Sequence, residues 1–142
     1  MIPAPAQSLA DLAGKLATAI APETTSRFAM ANTGMISMLL MALAQDAERA
    51  VASRMDDIEE MKSLFAAAEQ TAAEVDGAAA RQAFQQRQPA TLRLTDIEVV
   101  HAEGLTLLIA LHGWAEEADP ALNRQIWDFL LRHSERHKLE LA

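Results

Sequence analysis

The sequence predicts an all-α fold: a mostly antiparallel bundle of four to five helices with one long second helix, either straight or kinked. Three observations carry this. Alanine fills roughly one position in five, well above ordinary usage, and Ala, Leu, Met, Glu and Gln are the strong helix formers. Apolar residues recur at three- and four-residue steps through most of the chain, and no stretch sustains the alternation of a strand. One uncharged run, FAMANTGMISMLLMALA at residues 28–44, passes directly into a segment that mixes charge and apolar residues at helical spacing.

 The chain has 142 residues, the size of one domain spanning 1–142 and long enough to bury a core without staples.

The elements follow in order. Pro3 and Pro5 mark residues 1–7 as a loose arm. Ser8 can cap a first helix, with Asp11 in its first turn and Leu9, Leu12, Leu16 and Ile20 on its apolar face. Pro22 ends it, because the residue before a proline is pushed out of the α region. The second helix opens near residues 24–26 and reaches about residue 76. Its first half is apolar on nearly all sides, which predicts burial on nearly all sides. Asn32-Thr33-Gly34 is a weak point that predicts a kink or a close helix approach, since Gly costs about 1 kcal/mol against Ala in a helix interior. Its second half predicts a solvent stripe through Asp46, Arg49, Ser53, Asp56, Glu60 and Ser63. An opposite, buried stripe runs through Ala47, Val51, Ile58, Met61, Phe65, Ala68, Ala72 and Val75. A straight helix over residues 24–76 would be about 80 Å long, so the segment either bends around residues 53–57 or projects into an oligomer.

Gly77 closes that segment, and residues 77–94 read as a linker region anchored by Phe84. Thr95-Asp96-Ile97-Glu98 has the form of a capping box. It opens a central third long helix with a wide apolar face through Ile97, Val100, Gly104, Leu108 and Leu111. Asp119-Pro120 starts the last helix, with Asp119 as cap and proline at the first helical position. Leu122, Ile126, Phe129, Leu130 and His133 face inward from it.

Composition excludes several chemistries. Cysteine is absent, so thiol catalysis, Cys-ligated zinc and disulfides do not occur. The formal net charge of −8 repels a phosphate backbone, and the expectation is no nucleic-acid partner. The two groups of cations, Arg81, Arg87 and Arg93, and Arg132, Arg136 and Lys138, are diluted or sit at a helix end. The uncharged run is short and interrupted by Asn32, Thr33, Gly34 and Ser37, so no membrane span is expected. The N-terminus lacks a charged n-region and a continuous apolar h-region. The expected location is cytoplasmic.

Glu98-x-x-His101 is the sharpest chemical pattern, because a carboxylate and an imidazole three apart on a helix point the same way. His133-x3-His137 offers two more imidazoles on one face, and Asp46 or Glu48 could add carboxylates. The simpler reading makes Glu98 part of the capping box and places His133 and His137 at a helix C-terminus, where a cation complements the dipole. On that reading no metal and no cofactor is expected.

A second cluster, Met30, Met35, Met38, Met41, Met55 and Met61, suits either an irregular core or an adaptable apolar surface. Arg27 and Asn32, with Met35 and Met38, are the candidates for lining a ligand pocket. Met38, Trp127 and Leu131 are the candidates for an interface. The function expected from these residues is a non-enzymatic interaction or structural module. It self-associates as a homodimer and could also take another protein as partner. Beside it stand a bundle holding a small apolar ligand in a Met-lined pocket and a metal-dependent bundle using Glu98 and His101.

Overall fold

The computed structural model describes residues 4–140. It is all-α: five α-helices, α1 (Pro5–Lys15), α2 (Arg27–Ala68), α3 (Ala78–Phe84), α4 (Leu94–Ala118) and α5 (Pro120–His137), with no strand among the described residues. The chain divides into two compact units, Met1–Ala50 with Lys138–Ala142, and Val51–His137. The long second helix is present as one unbroken α-helix, Arg27–Ala68. It stays helical through residues 53–57, and it stops earlier than the pattern suggested. Residues 69–77 form turns instead, and Gly77 takes a positive φ of 84° that a side chain would resist.

In the first unit, α1 begins at Pro5 rather than Ser8. Proline is pre-organised for the first helical position, and Ala4 takes the cap position without a side-chain bond. Of the expected arm, residues 1–3 lie outside the described residues. The helix relaxes into a π-helical turn, Leu16–Ile20, and then a 3₁₀ turn, Ala21–Glu23. Thr24 Oγ1 donates to the Ala21 carbonyl at 2.7 Å and closes that corner. Ser26 Oγ accepts the Ala29 N–H at 3.4 Å, as an N-cap does. Ser37 Oγ donates to the Ala13 carbonyl at 2.9 Å and ties α2 to α1. Thr33 bonds back to the Ala29 carbonyl at 2.8 Å. A Cβ on Gly34 would meet nothing within 4 Å, so no helix approaches closely there. The C-terminal segment returns to α2: Gln45 exchanges side-chain bonds with the main chain of Glu140 at 2.7 and 2.9 Å, and Arg49 donates to the Lys138 carbonyl.

The expected burial of the uncharged run does not occur in this unit. The least exposed stripe of α2 there runs through Thr33, Ser37, Leu40 and Ala44, with Ser37 bonded to α1, and only Ala44 of these is fully buried. Phe28 is 76% exposed, Met35 59% and Leu39 58%. One short helix cannot cover a helix that is apolar around its whole circumference. An 18-residue window of α2 has a mean hydropathy of 1.4 with 6% of it buried, so by length and composition this helix could cross a membrane.

The second unit contains one core. Ile58, Met61 and Phe65 of α2, Phe84 of α3, Ile97, Leu108 and Leu111 of α4, and Ile126 and Phe129 of α5 are nearly or wholly excluded from solvent. Phe65 and Phe84 meet edge to face with centroids 5.5 Å apart, a favoured aromatic geometry. Gly104 lies under them: a Cβ there would come within 2.6 Å of both Met61 Cε and the Phe84 ring. The region read as a linker is thus partly structured, with α3 pinned through Phe84. Arg81 is buried beside it and donates to the carbonyls of Asp76 at 2.8 Å and Ala72 at 3.0 Å. Both carbonyls belong to the turns that follow α2. Arg87 pairs with Glu103 at 3.0 Å, so two of the three arginines in that group have local structural roles.

At the α4–α5 corner, Asp119 Oδ1 accepts the N–H groups of Ala121 and Leu122 at 3.2 and 3.0 Å, as its place before Pro120 predicted. The capping box at Thr95 does not form. α4 starts one residue earlier, at Leu94, with Arg93 in the cap position and no side-chain cap. Thr91 instead accepts the Arg93 N–H at 3.0 Å and donates to Asp96.

Candidate metal centre

Three helices of the second unit bring three imidazoles to one carboxylate. Asp57 stands on α2, His101 on α4, and His133 and His137 one turn apart on α5. Asp57 Oδ2 lies 3.0 Å from His101 Nε2, 2.7 Å from His133 Nδ1 and 2.8 Å from His137 Nε2. All four ligand atoms fall within 4.8 Å of one another. The local folding is simple. Asp57 is next to Ile58 and shares the buried side of α2 with Met61. His101 follows Val100 on the buried face of α4. His133 extends the Leu122–Ile126–Phe129 stripe of α5 by one turn, and the Phe129 ring stacks on it at 5.8 Å.

Asp57 is wholly buried, His101 nearly so, and the side chains of His133 and His137 are 26% and 25% exposed. Burial works against the charged carboxylate. Hydrogen bonds from His101, His137, His133 and Arg136 outweigh it and hold the Asp57 carboxyl well below the usual range. Arg136 approaches from the other side: Nη1 donates to Asp57 Oδ1 at 2.6 Å, and Nη2 pairs with Glu60. Arg132 bonds the second Glu60 oxygen at 2.8 Å. Burial of Glu60 is again outweighed, here by Arg132 and Arg136, and its carboxyl is also held low. Arg136 therefore holds Oδ1 and turns Oδ2 toward the histidines.

The donor set fits a divalent transition ion. A carboxylate oxygen offers about two lone-pair directions, and three imidazole nitrogens converge on this one. As a hydrogen-bonded cluster it is oversubscribed. As a ligand set it is a tetrahedral shell of three nitrogens and one oxygen. At metal–ligand distances of about 2.0–2.2 Å, tetrahedral ligand atoms stand roughly 3.4 Å apart. The spacings here reach that value with shifts of well under an ångström for the atoms around Oδ2. Imidazole and carboxylate together suit zinc, and also iron, cobalt or nickel in their divalent states. The bond from Arg136 to the second Asp57 oxygen is the kind of outer contact that orients a ligand.

The residues singled out from sequence are distributed differently. His101, His133 and His137 come together, and Glu98 does not join them. It lies one turn away, half exposed, 3.5 Å from Arg54. Since no capping box forms, Glu98 has neither of the roles expected of it. Asp46 and Glu48 belong to the first unit, and His112 bonds Asn123 at 3.1 Å and meets the Trp127 ring edge-on. Arg27, Asn32, Met35 and Met38 are exposed on α2, and Trp127 and Leu131 are exposed on α5. Asp57, the hub of the centre, was not singled out. Its one legible sign was its place between Arg54 and Met61 on the apolar side of α2, where an unpaired acid would be costly. No protein-family model matches the chain, and comparison with curated proteins and with solved structures finds no match.

Proposed function

We propose that this chain is a metal-binding helical protein, in which one divalent ion of the zinc class joins Asp57, His101, His133 and His137. The observation that carries the reading is the convergence of three imidazole nitrogens on a single buried carboxylate oxygen. Four protein ligands fill a tetrahedral shell, which is the arrangement of structural rather than catalytic zinc. The ion would tie α2, α4 and α5 together, and its binding energy would add to the folding energy of the unit. The partial exposure of His133 and His137 gives it a route in from the α5 side. A non-enzymatic, metal-stabilised module is therefore the function supported best, and a reducing compartment suits a chain without cysteine.

Cobalt titration tests this. Protein freed of metal by a chelator should take up one equivalent of Co(II) and develop the intense visible absorption of a tetrahedral site. Asp57→Asn and His133→Ala should each abolish that absorption while keeping the far-ultraviolet helix signal. Weak octahedral absorption, or the same spectrum in both variants, would count against the centre.

A further inference from the structure

We infer that the uncovered apolar face of α2 in the first unit is the seat of a second copy of this chain, packed antiparallel. This rests on the first unit alone and stands or falls independently of the metal centre.

The face is large. On the side of α2 turned away from Ser37, Phe28, Met35, Leu39 and Leu43 are each between 56% and 76% exposed. At those exposures each offers on the order of 100 Å² of side-chain surface. Together they reach the few hundred Å² at which an exposed apolar patch marks an interaction surface. The side of α2 opposite Ser37, which faces α1, carries Phe28, Asn32, Met35, Leu39, Ala42 and Asp46. Their spacing alternates four and three, the seam of paired helices.

Two occupants could cover such a face, a bilayer or another protein surface. The packing of α1 decides between them. Ser37, at the middle of the uncharged run, bonds the Ala13 carbonyl at 2.9 Å. Asp11 and Lys15, two residues to either side of Ala13, therefore lie beside the middle of the run. A spanning α2 would carry both charges into the hydrocarbon, where they are strongly disfavoured. A second copy can cover the far side of α2 and leave Asp11 and Lys15 in water.

Charge then sets the direction. The run begins after Arg27 and ends before Asp46 and Glu48. Antiparallel pairing about residue 37 brings Arg27 near the partner's Asp46 and Met35 against the partner's Leu39, and parallel pairing sets like charges side by side. Such a pair is closed and twofold, the commonest oligomer symmetry.

The test uses the 142-residue chain and its cysteine-free background. Light scattering on a sizing column at micromolar concentration should give twice the monomer mass of 15.4 kDa. Leu39→Asp should reduce it to monomer or drive it to aggregate, and Leu131→Asp, on α5, should leave the dimer intact. On mild oxidation, Met35→Cys and Leu39→Cys proteins mixed together should form a disulfide dimer. Phe28→Cys alone should not, because its copies would be roughly 27 Å apart along the axis. A monomer mass for the wild type, loss of the dimer only in Leu131→Asp, or ready cross-linking of Phe28→Cys would each overturn the proposal. So would co-sedimentation of the wild type with phosphatidylcholine vesicles in place of dimer formation.

Discussion

The two halves of α2 differ in polarity, and their burial runs against that difference. Residues 28–44 contain no charge, and their large side chains are mostly exposed. Residues 51–68 contain Asp57, Glu59, Glu60 and Lys62, yet Ile58, Met61 and Phe65 are wholly or almost wholly buried. Hydrophobicity along a helix therefore does not fix its burial. What fixes it is the number of neighbours the chain supplies. The second half receives α3, α4 and α5, whose buried faces close one core around it. The first half receives α1, bonded to it at Ser37. A second lesson concerns polarity. The more polar half holds a fully buried carboxylate, because Arg136 and three histidines satisfy it. Paired in this way a buried charge is tolerated, whereas breaking the set leaves a charge without compensation.

Substitutions can sharpen this contrast. The largest effect is expected at Phe65→Ala, which removes half of the Phe65–Phe84 pair and leaves a cavity. It should cost about 3–5 kcal/mol in urea melts, with a midpoint that does not vary with protein concentration. The matching change in the other half, Leu39→Ala, should lower a midpoint that does vary with concentration, as expected when stability comes from association. Arg81→Met should cost about 1–3 kcal/mol, because the Asp76 carbonyl loses its side-chain donor and the Ala72 carbonyl keeps only the Val75 N–H. Gly104→Ala should cost about 1–3 kcal/mol by overpacking against Met61 and Phe84. Helix propensity would favour that change by about 1 kcal/mol, so a stabilised variant would show that the core can give way there. Ser63→Ala, exposed and bonded only to the Glu59 carbonyl in its own helix, should change stability by less than about 0.5 kcal/mol.

Much of the fold was legible in the sequence. The helical class, the long second helix, the Asp119-Pro120 corner, and the buried stripe of Ile58, Met61 and Phe65 all follow from spacing and capping chemistry, whereas the pattern left open whether the second helix is continuous or bends back near residues 53–57. The exposure of residues 28–44 was not legible, because apolarity reports a demand for cover and not its supply. The turns at residues 69–77 were missed because Ala, Glu and Gln favour helix there, while Arg81, from α3, bonds the carbonyls of Ala72 and Asp76 within those turns. Of the candidate centre, three imidazoles stood out as members of spaced pairs. Their common partner did not, since Asp57 is separated from them by 44 to 80 positions and sits among several acids of similar spacing. Glu98 drew attention through local spacing alone. Its side chain lies toward Arg54 and solvent, which only the packing of α4 could reveal.

The central claim is that four side chains of the second unit hold one metal ion. Elemental analysis tests it most directly, on untagged protein purified from cells without chelator, beside the His101→Ala/His137→Ala double variant. About one equivalent of zinc or another divalent transition metal is expected per chain in the wild type, and none in the variant. Wild-type protein without bound metal that also fails to retain added zinc through dialysis would contradict the claim, and so would a variant that carries as much metal as the wild type.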